Sequence, residues 1–135
     1  MSAKKILVVD DEAPIREVFT EFYRQAGYMV ETAESGEKAL EILAQENIEV
    51  MFLDLRMPGI NGVDLCREIR QKNPIACIYA VTGNASFLEL ANCREAGFDD
   101  YFTKPVSQEI LTRAVEEAFE KLERWKRRYP VFPRA

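Results

Sequence analysis

The fold is decided by the stretch Val50-Met51-Phe52-Leu53-Asp54-Leu55-Arg56-Met57-Pro58-Gly59. Four apolar residues run directly into one carboxylate, and a Pro-Gly turn follows soon after. An uninterrupted apolar run that is closed by turn residues predicts a strand buried on both faces. Asp54 then stands at the carboxyl end of a central strand, where open α/β sheets hold their ligands. The simpler alternative is an aspartate that only ends the strand and hydrogen-bonds its own turn.

The composition is that of one folded domain of ordinary size. The 135 residues are 47% hydrophobic and 30% charged, which excludes the disordered and fibrous classes. A formal net charge of -5 argues against non-specific binding to nucleic acid or to an anionic membrane. No apolar run is long enough to span a bilayer, and no signal-peptide cleavage site precedes the first strand-like run, so we expect a cytoplasmic protein.

Cysteine and histidine usage narrows the chemistry further. Cys66, Cys77 and Cys93 lie within apolar patterns and have no ligand-like spacing, so we expect three small buried side chains. Histidine is absent, which removes the commonest general base and the commonest transition-metal ligand. The chain therefore has no histidine of its own that could carry a phosphoryl group.

Strand-like and helix-like segments alternate along the chain. Apolar runs at 5–9, 28–33, 48–53, 75–81 and 99–103 predict five strands, and a helical pattern follows each of them. The first helix is expected to turn Val18, Phe19 and Tyr23 inward, and the apolar residues of the fourth are Phe87, Leu88, Leu90 and Ala91. Five alternations predict a parallel sheet that is covered by helices on both faces and has right-handed crossovers.

Polar side chains follow the ends of four of the predicted strands: Asp10, Asp11, Asp54, Thr82 and Lys104. Because parallel strands end at the same edge of a sheet, we expect these side chains to converge. Crowded carboxylates repel one another unless a cation joins them, and Mg²⁺ is a hard cation that accepts carboxylate oxygens and keeps several waters. The lysine adds a fixed positive charge and the threonine a hydroxyl donor, so the predicted site would stabilise a phosphoryl group on a carboxylate.

Five blocks of sequence resemble the signature blocks of response regulator receiver domains from two-component signalling: Val8-Val9-Asp10-Asp11-Glu12, Leu53-Asp54-Leu55-Arg56-Met57-Pro58-Gly59, Val81-Thr82-Gly83, Ala96-Gly97-Phe98-Asp99-Asp100-Tyr101 and Phe102-Thr103-Lys104-Pro105. The resemblance covers roughly residues 4–119. It implies an α/β, doubly wound, flavodoxin-like fold, in which a five-stranded parallel sheet of order 2-1-3-4-5 carries five helices.

The resemblance also implies a phosphoacceptor and a metal site. Asp54 would take a phosphoryl group from a histidine of a sensor kinase and form an acyl phosphate. Asp11 would bind Mg²⁺ directly, Asp10 mainly through water, and Asp54 and the backbone carbonyl of Arg56 would complete the protein ligands. The Arg56 side chain lies at a variable position of the family, so the sequence leaves the lifetime of the acyl phosphate open.

Further residues correspond to the switch residues of the family. Lys104 would pair with a phosphoryl oxygen, and Thr82 would move to hydrogen-bond another. Tyr101 would turn inward in response, which would alter the surface formed by the fourth helix, the fifth strand and the fifth helix. The bond between Lys104 and Pro105 is expected to be cis.

The last helix is expected to extend beyond the domain. We assign residues 1–120 to the receiver domain and 121–135 to an extension of this helix with a short proline-containing tail. A seam of coiled-coil spacing is formed by Leu111, Val115, Ala118, Leu122 and Trp125. A solvated basic helix end is one interpretation. The alternative is a homodimer or partner contact through Leu122 and Trp125.

The sequence therefore predicts a phosphorylation-controlled signalling domain and not an enzyme with a separate substrate. Its expected partners are a sensor histidine kinase or phosphotransfer protein and a downstream effector protein, without direct binding to DNA or membrane. A receiver module of a longer regulator or hybrid kinase, or a phosphorelay intermediate, would have the same sequence features. An Asp-nucleophile phosphatase is disfavoured by Arg56, where a second aspartate is usual. A flavin-binding protein is disfavoured by the acidic loop after the first strand.

Overall fold

The structure is a computed structural model that describes residues 4–128. Strands and helices alternate along this part of the chain, in the order β1 (Lys5–Val9), α1 (Ala13–Gln25), β2 (Met29–Ala33), α2 (Gly36–Gln45), β3 (Val50–Asp54), α3 (Gly62–Lys72), β4 (Cys77–Thr82), α4 (Phe87–Ala96), β5 (Asp100–Thr103) and α5 (Gln108–Arg128). The alternation predicted from the sequence is confirmed. The strand starts at 28, 48, 75 and 99 were predicted one or two residues too early.

The five strands form one parallel sheet of order β2-β1-β3-β4-β5, which confirms the predicted doubly wound fold. The central strand β3 is buried along its whole length, as its uninterrupted apolar run predicts. Its partners β1 and β4 flank it in register, with Val9 opposite Leu53 and Asp54 opposite Val81. The carboxyl ends of these three strands are therefore level with one another.

Two apolar layers cover the sheet, one on each face. Because side chains alternate along a strand, Leu7 and Val9 of β1 face a core with α2, α3 and α4, whereas Ile6 and Val8 face a core with α1 and α5. A cluster of aromatic side chains fills the second layer. The ring centroid of Phe52 lies 5.3–5.7 Å from the ring centroids of Phe19, Tyr23 and Tyr79. The three cysteines are buried and free, as expected.

The structure corrects one predicted helix face and shows how α4 packs. Val18 is 62% exposed, because α1 packs through Phe19 and Tyr23, which lie one turn apart. Phe87 and Leu88 are 88% and 68% exposed, because the buried residues of α4 are the small Cys93 and Ala96 in its later turns. The apolar composition of α4 therefore gives little information about which side faces the core.

Helix α5 stays in contact with the domain beyond residue 120. Leu122 is buried, and the Lys126 ammonium pairs with Glu49, which precedes β3. Leu122 is thus part of the core and is not available for a contact with another chain, whereas Trp125 is 42% exposed.

The predicted non-helical tail at 129–133 lies outside the described residues. Within residues 4–128, no helix has both the length and the apolar character needed to cross a membrane.

Candidate functional site

Asp10, Asp54 and Thr82 are the polar or charged residues that the described part of the chain buries, tyrosines aside. Asp10 follows β1, Asp54 ends β3 and Thr82 ends β4, so all three lie at the carboxyl edge of adjacent strands. Lys104 follows β5, and its backbone N–H donates to the carbonyl of Thr82 at 2.8 Å, which joins the ends of β4 and β5. The sheet topology thus brings together the side chains that the sequence placed at the strand ends.

The ammonium of Lys104 lies among three carboxylates. Its Nζ is 2.9 Å from Asp10 Oδ2, 3.6 Å from Asp54 Oδ2 and 3.9 Å from Glu12 Oε1. Burial lowers the pKa of this lysine, but the hydrogen bond to Asp10 and the charges of Asp54, Asp10 and Glu12 outweigh burial, so the pKa is raised. Lys104 is therefore charged at neutral pH and supplies a cation to the crowded carboxylates.

The neighbours of Asp54 offset only part of the effect that burial has on the pKa of its carboxyl group. Burial raises the pKa of its carboxyl group, the charge of Asp10 adds to this, and the Lys104 ammonium and the backbone N–H of Arg56 oppose it. That N–H donates to Asp54 Oδ1 at 3.3 Å, which is a long hydrogen bond. The ionised carboxylate is thus more basic than an ordinary aspartate, and groups with such raised pKa values are common at functional sites.

Replacement of Asp54 by asparagine is expected to stabilise the protein at neutral pH without divalent cations. A carboxyl group with a raised folded-state pKa binds protons more tightly in the folded protein, so its ionisation destabilises the fold as pH rises above about 4. The neutral amide of Asp54→Asn removes that effect. We expect the free energy of unfolding to rise by roughly 1 kcal/mol at pH 7.5 and to equal that of the wild type near pH 4. Urea denaturation at both pH values measures it.

The exposed Glu120→Gln serves as the control, since it also removes one carboxylate but lies far along α5 from the site. It should change the free energy of unfolding by less than about 0.5 kcal/mol. An Asp54→Asn protein that is less stable than the wild type at pH 7.5 would contradict the prediction.

Asp10, Asp11 and Glu12 form an acidic cluster whose ligand atoms all lie within 4.8 Å of one another. Asp10 is buried and the other two are exposed, so the cluster opens to solvent on one side. Its oxygen donors fit a hard cation such as Mg²⁺. Glu12 was not among the predicted ligands, although it stands in the same acidic run. The Asp54 carboxylate, which the resemblance adds to the metal ligands, is not a member of this cluster of side chains.

The remaining predicted switch residues are less closely joined to the carboxylates. The hydroxyl of Thr82 donates to the carbonyl of Asn84 at 3.4 Å, a long hydrogen bond within its own turn. Tyr101 is 44% exposed on β5. The peptide bond between Lys104 and Pro105 is cis.

The Arg56 side chain pairs with Glu89 at the start of α4. Its Nε donates to Glu89 Oε2 at 3.3 Å and an Nη atom to Glu89 Oε1 at 2.7 Å. Glu89 was not singled out from the sequence, because a contact between residues 33 positions apart depends on where α4 starts relative to the loop after β3 and has no local signal.

Comparisons with known proteins agree with this fold. Residues 6–116 match the model of the response regulator receiver domain family. The transcriptional regulatory protein ResD of Bacillus subtilis is 38% identical over 110 residues, which are 81% of this chain and 45% of that protein. A cyclic di-GMP phosphodiesterase of Thermotoga maritima is 34% identical over 113 residues, which are 84% of this chain and 30% of that protein. The chain spans less than half the length of these relatives.

Solved structures give the same result. A CheY-like receiver domain protein from Methanospirillum hungatei superposes with a TM-score of 0.85 at 28% identity, over 91% of this chain and 99% of that one. The BeF3-activated DrrB receiver domain gives a TM-score of 0.81 at 33% identity, over 88% and 99% of the two chains. The chain therefore belongs to the family of response regulator receiver domains of two-component systems.

Proposed function

We propose that this receiver domain is a phosphorylation-activated switch and that Asp54 accepts the phosphoryl group. The observation that carries the proposal is the pairing of a buried Asp54 with Lys104 at 3.6 Å, beside a buried Asp10 and an exposed acidic rim. A carboxylate of raised pKa next to a fixed cation suits a nucleophile whose product bears additional negative charge.

The chemistry that we propose is transfer from a phosphohistidine. An oxygen of Asp54 attacks phosphorus, the P–N bond of the donor breaks, and the histidine nitrogen retains the electron pair. Lys104 holds a phosphoryl oxygen of the product as a point charge. Thr82 gives up its long hydrogen bond to Asn84 and donates to another phosphoryl oxygen. Asp10 and Asp11 would hold Mg²⁺, which neutralises charge on the phosphoryl oxygens when it is bound, and Glu12 is a further candidate ligand.

The partners follow from this chemistry. The donor is a sensor histidine kinase or a histidine-containing phosphotransfer protein, and an ATP-dependent kinase would meet the protein in the cytoplasm. The effector is a protein that recognises the surface of α4, β5 and α5, where Tyr101 is exposed and would turn inward on phosphorylation. Residues 1–120 form the receiver domain in this proposal, which applies equally to a stand-alone regulator and to a module of a longer one. A homodimer contact would use Trp125 and not the buried Leu122.

Phosphorylation of the intact protein tests the assignment. Incubation with a small acyl phosphate and Mg²⁺ is expected to add one phosphoryl group, which intact-mass spectrometry detects and mild base removes. Asp54→Ala should gain none, whereas Asp100→Asn, which alters an exposed aspartate of β5, should react like the wild type. Undiminished modification of Asp54→Ala would show that the phosphoacceptor is another residue.

A further inference from the structure

The ion pair between Arg56 and Glu89 joins two parts of the domain at the rim of the phosphorylation site. Arg56 lies in the loop after β3, and Glu89 lies in the first turn of α4. Both donor groups of the arginine fork engage the carboxylate, at 3.3 and 2.7 Å. This geometry is specific to a guanidinium, whose planar fork matches two carboxylate oxygens.

The guanidinium of Arg56 is influenced by two anions. Its pKa is raised mainly by the hydrogen bond to Glu89 and by the charge of Glu89, and the charge of Asp54 contributes in the same direction. The backbone N–H of Arg56 already donates to Asp54 Oδ1. The side chain of Arg56 is 62% exposed and that of Glu89 32%, so the pair is surrounded by water and is weak. A stronger anion at Asp54 would compete for the guanidinium.

We propose that Glu89 is a positioning residue for Arg56, which leaves Glu89 for a phosphoryl oxygen once Asp54 is phosphorylated and then slows hydrolysis of the acyl phosphate. This inference rests on the proposed function. A phosphoryl group carries up to about two negative charges and three acceptor oxygens, whereas Glu89 carries one charge and two oxygens. The fork of Arg56 binds either group in the same bidentate manner.

The lifetime of the acyl phosphate then depends on where Arg56 lies. In hydrolysis a water oxygen attacks phosphorus, the bond between phosphorus and the Asp54 oxygen breaks, and the carboxylate retains the electron pair. The proton of the water passes to solvent or to the departing inorganic phosphate. A guanidinium on the phosphoryl oxygens covers the open rim from which this water arrives. Glu89 competes for the guanidinium and therefore shortens the lifetime.

Glu89 has a second role that must be kept constant in the test. Its carboxylate accepts a hydrogen bond from the backbone N–H of Ser86 at 3.1 Å, and its own N–H donates to Ser86 Oγ at 3.2 Å. This reciprocal pair is a capping box at the start of α4. Glutamine supports the same capping box without a charge, so Glu89→Gln removes the attraction for Arg56 and preserves the helix start.

The experiment measures the half-life of the acyl phosphate in the intact protein. Wild type, Glu89→Gln, Arg56→Ala and the double variant are phosphorylated with a small acyl phosphate and Mg²⁺, the donor is removed, and the phosphorylated fraction is followed by intact mass. We expect Glu89→Gln to lengthen the half-life roughly two- to fivefold, the factor that an exposed ion pair supplies. Arg56→Ala should shorten it, and the glutamine should have no further effect in the Arg56→Ala background.

Two additional variants separate positioning from a general change of charge. Glu109→Gln removes a carboxylate that pairs with Arg113 at 3.5 Å on α5, and it should leave the half-life unchanged. Arg56→Lys should retain part of the wild-type half-life, because lysine keeps the charge without the fork.

Three results would overturn the inference: an unchanged half-life in Glu89→Gln, a shortened one, or an equal lengthening with and without the Arg56→Ala substitution. The last result would assign the effect to α4 or to Glu89 itself. Failure of the proposed function is distinguishable, since then either no protein of the set gains a phosphoryl group or Asp54→Ala gains one as the wild type does, and the inference would fall with it.

Discussion

Lys104→Met is expected to lower the free energy of unfolding by about 3 kcal/mol at pH 7.5 in the absence of divalent cations. The ammonium of Lys104 is the cation between Asp10 and Asp54, both of which are buried. Without it, two buried carboxylates face each other uncompensated, and removal of one partner from a buried ion pair is far more destabilising than loss of an exposed pair. Urea denaturation of the two proteins measures the difference.

The pH dependence of this difference identifies its cause. Lys104 holds the pKa of Asp54 below the value that burial and Asp10 alone would produce, so its removal raises that pKa further. Protonation then relieves the repulsion at mildly acidic pH, and the gap between wild type and variant should narrow as pH falls towards about 5. A gap that stays constant with pH would indicate lost packing of the lysine stem and not lost charge.

Lys121→Met provides the matched control. Its ammonium also pairs with an aspartate, Asp99 at 3.4 Å, but the side chain is 48% exposed. We expect a change of less than about 0.5 kcal/mol, with little dependence on pH. If Lys104→Met is no more destabilising than this control, the ammonium of Lys104 is not needed to hold the two carboxylates together.

Gly62→Ala is expected to destabilise the protein by at least about 3 kcal/mol. Gly62 is the first residue of α3, and its N–H donates to the carbonyl of Leu55 at 3.1 Å. A Cβ atom there would lie 2.3 Å from the carbonyl oxygen of Asp54 and 2.8 Å from the Cα of Leu55. These contacts are with backbone, which cannot rotate away as a side chain can, so α3 would have to move off the end of β3.

Gly83→Ala is the control for Gly62→Ala, because a Cβ atom at Gly83 would meet nothing within 4 Å. Gly83 follows Thr82 at the same edge of the sheet. Gly83→Ala therefore measures the effect of replacing a glycine near the site when the added Cβ atom has no steric conflict. We expect its free energy of unfolding to stay within about 1 kcal/mol of the wild type. Equal losses in the two variants would contradict the argument from close approach.

Much of the fold follows from local patterns along the chain. The unbroken apolar run before Asp54 predicts a central strand, and the five alternations predict the parallel sheet that the structure has. The strand-end position of Asp10, Asp54 and Lys104 then predicts their proximity, because a parallel sheet has one carboxyl edge. These inferences succeed because each depends on residues that are neighbours in sequence or on a topology with few alternatives.

The errors arise where tertiary packing decides. Val18 fits the apolar spacing of α1 but is exposed, because the helix packs on the sheet through Phe19 and Tyr23. The partner of Arg56 depends on where α4 starts relative to the loop after β3, and nothing close to Arg56 in sequence specifies it. The coiled-coil spacing of Leu122 is compatible with a core residue and with an interface residue. The choice depends on how far along α5 the helix stays packed on the sheet, and the structure shows that Leu122 is buried.

The pairing of Lys126 with Glu49 has a practical consequence for labelling the molecule. Glu49 precedes β3 and Asp54 ends it, so the last turn of α5 lies at the opposite edge of the sheet from Asp54, the proposed phosphoacceptor. A strand of the length of β3 places Glu49 and Asp54 about 16 Å apart. A fluorophore introduced at the exposed position 127 or 128 would therefore stay clear of the proposed site at Asp54, and would report changes in molecular tumbling without obstructing that site.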